Sequence, residues 1–159
     1  MPIAIDASSP AGATGGGTIT TAAFNPPANS LLVAVVAASA TTPTISNSVT
    51  ARTWTLRKVH TNASYKGIAI YTAPNPTALT GTQVTVGSAT GGVKIYVVTG
   101  AHPTSPIGTN GVGTTATNNA TIDAYTSTAA GSRAFCAAVN WNGAAAPTST
   151  DDETAWFAS

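Results

Sequence analysis

Residues Asn29 to Ala40 read NSLLVAVVAASA, and the middle of that stretch, Leu31 to Ala38, is apolar at every position in a chain otherwise rich in Thr, Ser and Gly. A membrane-spanning helix needs about twenty apolar residues, and this run ends far sooner, at Ser39, Thr41, Thr42 and Pro43. An amphipathic helix would space its apolar residues three and four apart. Here nothing is spaced, and turn-forming Asn29-Ser30 and Pro43 bound the run. The valines at 33, 35 and 36 favour extended backbone. The stretch therefore predicts a central strand with both faces covered and both edges paired, since only an interior strand can be apolar throughout.

The rest of the chain reads as short β runs cut by turn residues, with no stretch of helical periodicity. TITTAAF (Thr18 to Phe24) is one run, closed by Asn25-Pro26-Pro27, because consecutive prolines cannot donate to a ladder. ARTWTLRKVH puts Trp54 and Leu56 on one face and Thr53 and Thr55 on the other. Val59 then falls out of phase with Leu56, which predicts a bulge near Arg57-Lys58. YKGIAIYTA sends Ile68 and Ile70 one way and Tyr65, Gly67, Ala69 and Tyr71 the other. TQVTVGS buries Val84 and Val86, and GVKIYVVTG separates Val93, Ile95 and Val97 from Lys94, Tyr96 and Val98. SRAFCAAVNW is a second nearly continuous apolar run and a second candidate for a central strand. The Gly-rich stretches SSPAGATGGG (Ser8 to Gly17) and GTNGVGTTATNN (Gly108 to Asn119) read as flexible surface loops. Strands at these intervals predict an all-β fold, a two-sheet antiparallel β-sandwich of jelly-roll-like type, as one domain over residues 1–159.

Composition bounds the function. Apolar residues make up 43% of the 159 and charged residues 7%, with a formal charge of +1. That is enough material for a core. The basic residues Arg52, Arg57, Lys58, Lys66, Lys94 and Arg133 look scattered along the chain, which argues against a nucleic-acid partner. A surface wetted by Thr, Ser and Asn is usual outside cells, yet MPIAIDASSPAG lacks the basic and apolar regions of a signal peptide, and a single Cys136 excludes an internal disulfide framework. A bacteriophage virion component reconciles these facts: it is assembled in the host cytoplasm, leaves by lysis and works outside cells. The expected localisation is the virion, without membrane insertion.

The order of motifs is also familiar: PPANSLLVAVVAAS, then RTWTLRKV, then YKGIAIYTAPNPTALTGTQVTV, then GGVKIYVVTGAHPTSPIGT. It resembles a family of phage and prophage β-sandwich proteins with a G-S-N-x-L-L-V-V-x-V core strand, a W-Y-L-x-x-P strand and an x-F-S-G-V-x-x-x-x-P-x-G segment. Asn29 to Val36, Ile70-Tyr71-Thr72-Ala73-Pro74, and Tyr96 to Gly108 stand at those positions, with His102 where an acidic or polar residue often occurs. The resemblance implies a non-enzymatic structural protein, a minor tail or tail-fibre component contributing to assembly and to host adsorption. The alternatives are a capsid decoration protein and a carbohydrate-binding module. It also implies further strands after DDETAWFAS, supplied by more chain or by a neighbouring subunit. Partners would be other virion proteins in a homo-oligomer or multi-subunit assembly, and a host surface glycan.

Candidate sites are few, and no catalytic residue, metal ligand or cofactor is expected. Cys136, flanked by Phe135, Ala137 and Ala138, reads as a buried, inert thiol, since a nucleophile needs a nearby base and nothing in the spacing brings His60 or His102 to it. Asp151, Asp152 and Glu153 invite a calcium reading, but adjacent carboxylates without a turn glycine suit a solvated turn better. Tyr71 and Tyr96 alternate with Ile70 and Ile95, so they are the candidate glycan or subunit contacts, set against the commoner fate of being covered. TAWFAS begins like a strand with nothing to close it, which predicts an open edge against a neighbour near Asp151 to Ser159.

Overall fold

The computed structural model describes residues 2–39, 42–62, 66–87, 91–102, 104–108, 131–140 and 153–158, with residues 62, 66, 136–140 and 153–158 described through their backbone alone. Among the described residues all the elements are strands: β1 (Ala4–Ile5), β2 (Ala13–Gly15), β3 (Ile19–Thr20), β4 (Ser30–Ala38), β5 (Thr44–Asn47), β6 (Thr55–Asn62), β7 (Lys66–Asn75), β8 (Val84–Gly87), β9 (Gly91–Thr99), β10 (Phe135–Asn140) and β11 (Glu153–Ala158). The fold is all-β, as the sequence predicts.

The opening stretch is β4. It lies inside the larger sheet, whose order is β1-β9-β4-β7-β6, with β2 also on β9. Its antiparallel ladders run from Ser30↔Asn75 to Ala38↔Gly67 on one side and from Leu31↔Val98 to Ala38↔Gly91 on the other. Asn29, at φ 58°, turns the chain into it, a left-handed conformation that Asn tolerates. At the far end Gly91 has φ 147° and its Cα sits against the Ala37 carbonyl, so a side chain at 91 would collide with the β4 backbone.

Alternation along β4 builds two cores. Leu32, Ala34, Val36 and Ala38 face a three-stranded sheet of order β3-β8-β5 and pack with Ile19, Val84 and Val86. This is the sandwich. Leu31, Val33, Val35 and Ala37 face the other way and are covered by Ile3, Ile5, Ala101, Ile107 and Phe135. Burying a Val or Leu side chain stabilises by roughly 1.5–3 kcal/mol, so a strand apolar on both faces gains from both layers. The chain passes from sheet to sheet between β2 and β3, β3 and β4, β4 and β5, β5 and β6, β7 and β8, and β8 and β9. That alternation is the jelly-roll-like character.

Several expected details hold. Val84 and Val86 are buried, Val93, Ile95 and Val97 lie in the inner core, and Tyr96 and Val98 lie in the outer one. The β6–β7 register slips between Leu56 and Lys58, making Arg57 the bulge residue. Others need correction. TITTAAF contains only Ile19–Thr20 as strand plus a bridge from Phe24 to Thr82. The first Gly-rich stretch is not all loop, because Ala13–Gly15 pairs with β9. Phe135–Asn140 is not a central strand of the large sheet: among the described residues it pairs only with β11, in parallel from Phe135↔Glu153 to Asn140↔Ala158. The two packed sheets are antiparallel, and this pair is the exception. The second Gly-rich stretch lies outside the described residues except for Gly108.

Candidate functional site

The two tyrosines proposed as contacts are both 5% exposed. Tyr71 points into the sandwich, and its hydroxyl donates to the Pro43 carbonyl at 2.7 Å. Burial pushes its phenol above the ordinary tyrosine value. Tyr96 lies on the outer face, against Phe135 with ring centroids 5.5 Å apart, and the Lys94 ammonium sits 5.4 Å from its ring centre. The Lys94 Nζ also donates to the Pro10 carbonyl at 2.7 Å. Neither ring is an outward platform, because both faces of the sheet are covered. Alternation separates the residues correctly, but it says only that they differ in face.

His60 lies on β6 and His102 in the loop after β9, so strand order keeps them apart. The Nδ1 atom of His102 accepts from the Ser105 N–H at 3.1 Å and the Thr104 N–H at 3.4 Å, a local turn. The side chains of Cys136 and Glu153, and Asp151 and Asp152 altogether, lie outside the described residues. Among the described residues no three His, Cys, Asp or Glu side chains come together as metal ligands would. Asp6, after β1, accepts from Ser8. The nearby Ser8 hydroxyl and the Ser8 backbone N–H hold this carboxyl below the ordinary range, but only the N–H, at 2.9 Å, makes a hydrogen bond to it, and the hydroxyl is buried with no partner among the described residues.

Among the described residues the richest polar cluster is a lock that ties three loops at one end of the sandwich. The Arg52 Nε–H donates to Asn75 Oδ1 at 2.9 Å, and Arg52 Nη2 donates to the Thr77 carbonyl and hydroxyl, both at 2.8 Å. Asn75, 1% exposed, donates to the Pro27 carbonyl at 2.8 Å and the Ser30 hydroxyl at 3.1 Å. Asn47 accepts from the Arg52 N–H at 2.9 Å and turns its amide N–H toward the carbonyls of Ser48, Val49 and Thr50. Within that loop Val49 and Thr50 have φ of 47° and 44°, costly for β-branched residues. Val49 is half exposed at the tip. Arg52, itself half-buried, thus satisfies the buried Asn75 and fixes the loop at Thr77.

What the sequence did not show is a gathering of basic side chains. Arg57, Lys58 and His60 all belong to β6, the last strand in the order of the large sheet among the described residues. Lys58 lies opposite Ile70 and His60 opposite Ile68, so both share the outer face. Arg57 Nε donates to the Thr72 hydroxyl at 2.7 Å. The signal was present as a set of basic residues from 52 to 66, but their spread along the chain hid that Arg57, Lys58 and His60 share β6 while Arg52 lies in a loop and Lys66 begins β7.

Comparison with known proteins returns no family model, no curated protein and no solved structure that matches the chain.

Proposed function

We propose that this chain is a non-enzymatic structural component of a bacteriophage virion, a minor tail or tail-fibre protein that contributes to assembly and host adsorption. The observation that carries the reading is the use of the interior. Both cores are packed with aliphatic and aromatic side chains, and the principal polar cluster, around Arg52 and Asn75, is consumed in fixing loops. The charge-poor surface and the motif order that resembles phage β-sandwich proteins support the same reading. A capsid decoration protein would share these features and differ only in where it docks. A carbohydrate-binding module loses the platform that motivated it, since Tyr71 and Tyr96 are covered.

The test is to purify particles from a lysate containing the sequence and locate the chain by mass spectrometry and labelled-antibody imaging. Presence at the tail, in a fixed copy number, supports the reading. Presence on the shell moves it to the decoration class, and absence from particles overturns it.

A further inference from the structure

We infer that the Val49-Thr50 tip is a latched two-state element, held in a strained left-handed state by Asn47 and Arg52 and free to relax when the Arg52 anchor opens. The inference does not rest on the virion reading. Val49 and Thr50 have φ of 47° and 44°. Two consecutive positive φ values suit a pair such as Asn-Gly, and a β-branched side chain at such a position crowds its own backbone. Neither residue is buried in return, since Val49 is 50% exposed and Thr50 is exposed as well. The strain is therefore offset by the groups on either side of the tip.

Both ends of the tip are fixed. On one side the Ser48 N–H donates to the Gln83 carbonyl at 2.9 Å, the Ser48 hydroxyl accepts from the Gln83 N–H at 2.9 Å, and the Ser48 carbonyl accepts from the Thr82 hydroxyl at 2.9 Å. On the other side the Arg52 guanidinium grips Asn75 and Thr77 through bonds of 2.8 to 2.9 Å. Between these anchors the Asn47 side chain acts as a peg. Its amide N–H groups turn toward the carbonyls of Ser48, Val49 and Thr50 at 2.7, 3.1 and 3.3 Å, and its Oδ1 receives the Arg52 N–H at 2.9 Å. Val49, Thr50 and Ala51 alone span the gap, so the tip takes the shape that the anchors leave it. Bonds from a guanidinium are the strongest in this set, and they place the Arg52 backbone where the peg meets it. Arg52 is thus the latch. It also couples two loops: a contact that draws Thr77 away from Arg52 frees the Val49 tip.

The experiment is a mutant cycle on the full chain in urea, with Val49→Gly/Thr50→Gly made in the wild type, in Arg52→Ala and in Asn47→Ala. Glycine adopts positive φ freely, and that relief outweighs the chain entropy it adds. In the wild type the glycine pair should raise the folding equilibrium constant at least about fivefold. In Arg52→Ala and in Asn47→Ala the rise should shrink to less than about twofold, because the tip has already relaxed. If Arg52→Ala does not fold, Arg52→Gln takes its place with the same shrinkage expected. NMR supplies a readout that stability alone does not move. Positive φ brings the amide proton close to the α-proton, so strong intraresidue cross-peaks are expected at Val49 and Thr50 in the wild type and weaker ones once the latch is removed. No gain from glycine in the wild type means that no strain is held, and it overturns the inference. An equal gain in every background, or cross-peaks unchanged by the Arg52 substitution, makes the tip independent of the latch and overturns it too. A gain lost in Asn47→Ala alone reduces Arg52 to a loop tie and likewise overturns it.

Discussion

The two faces of β4 are made by one strand, yet they are closed in different ways. The even-numbered residues Leu32, Ala34 and Val36 meet a hydrogen-bonded sheet, β3-β8-β5, which brings rigid backbone and its own valines. The odd-numbered residues Leu31, Val33 and Val35 meet the N-terminal segment, the loop after β9 and Phe135 from the parallel β10–β11 pair. A layer that is itself a paired sheet has little freedom to collapse or open. A layer assembled from short segments can repack or lift locally. An apolar residue at every position thus says that both faces are covered, but not how firmly.

The largest effect should come from the firm face. Leu32→Ala removes a fully buried side chain against a sheet that cannot close the gap, with an expected loss of about 4 kcal/mol in urea denaturation. Val33→Ala on the opposite face should cost about 2 kcal/mol, both because less is removed and because the outer segments can follow. If the two costs invert, the ranking of the faces is wrong. Phe135→Ala should cost about 1.5 kcal/mol through loss of the Tyr96 contact. Amide exchange sharpens the same point: β4 amides should exchange only through global unfolding, and β10 amides sooner.

Ionisable groups probe each face more gently. Tyr71→Phe leaves the Pro43 carbonyl unpaired inside the sandwich, a loss of about 1 kcal/mol at neutral pH. Burial raises the folded-state phenol, so its contribution is complete below the unfolded value of about 10. Above that pH the unfolded chain loses its proton first, and stability falls as pH rises through the folded value. The Phe variant should show a shallower alkaline decline than the wild type. The smallest effect belongs to Asp6, beside β1. Its carboxyl is depressed, so its contribution is present above the unfolded value of about 4 and is lost as pH falls through the folded one. Asp6→Asn should flatten only that acid limb, and an unchanged acid limb would show that the Ser8 contacts do not matter.

The sequence by itself determined the class of fold, the central position of Leu31 to Ala38, the face of each residue from Val93 to Val98, and a bulge near Arg57-Lys58. These are consequences of period-two alternation and of turn chemistry, which act over a few residues and are written locally. Only the tertiary structure decided that Tyr71 and Tyr96 are covered, that FCAAVN pairs in parallel with ETAWFA outside the large sheet, and that Ala13–Gly15 joins an edge. Each of these depends on a partner 18 or more residues away, which alternation cannot name. The placement of the basic residues belongs to the same class. Arg52 and Lys58 look alike in sequence, but the fold places one in a loop lock and the other on β6, because pairing between distant segments chooses where each residue sits.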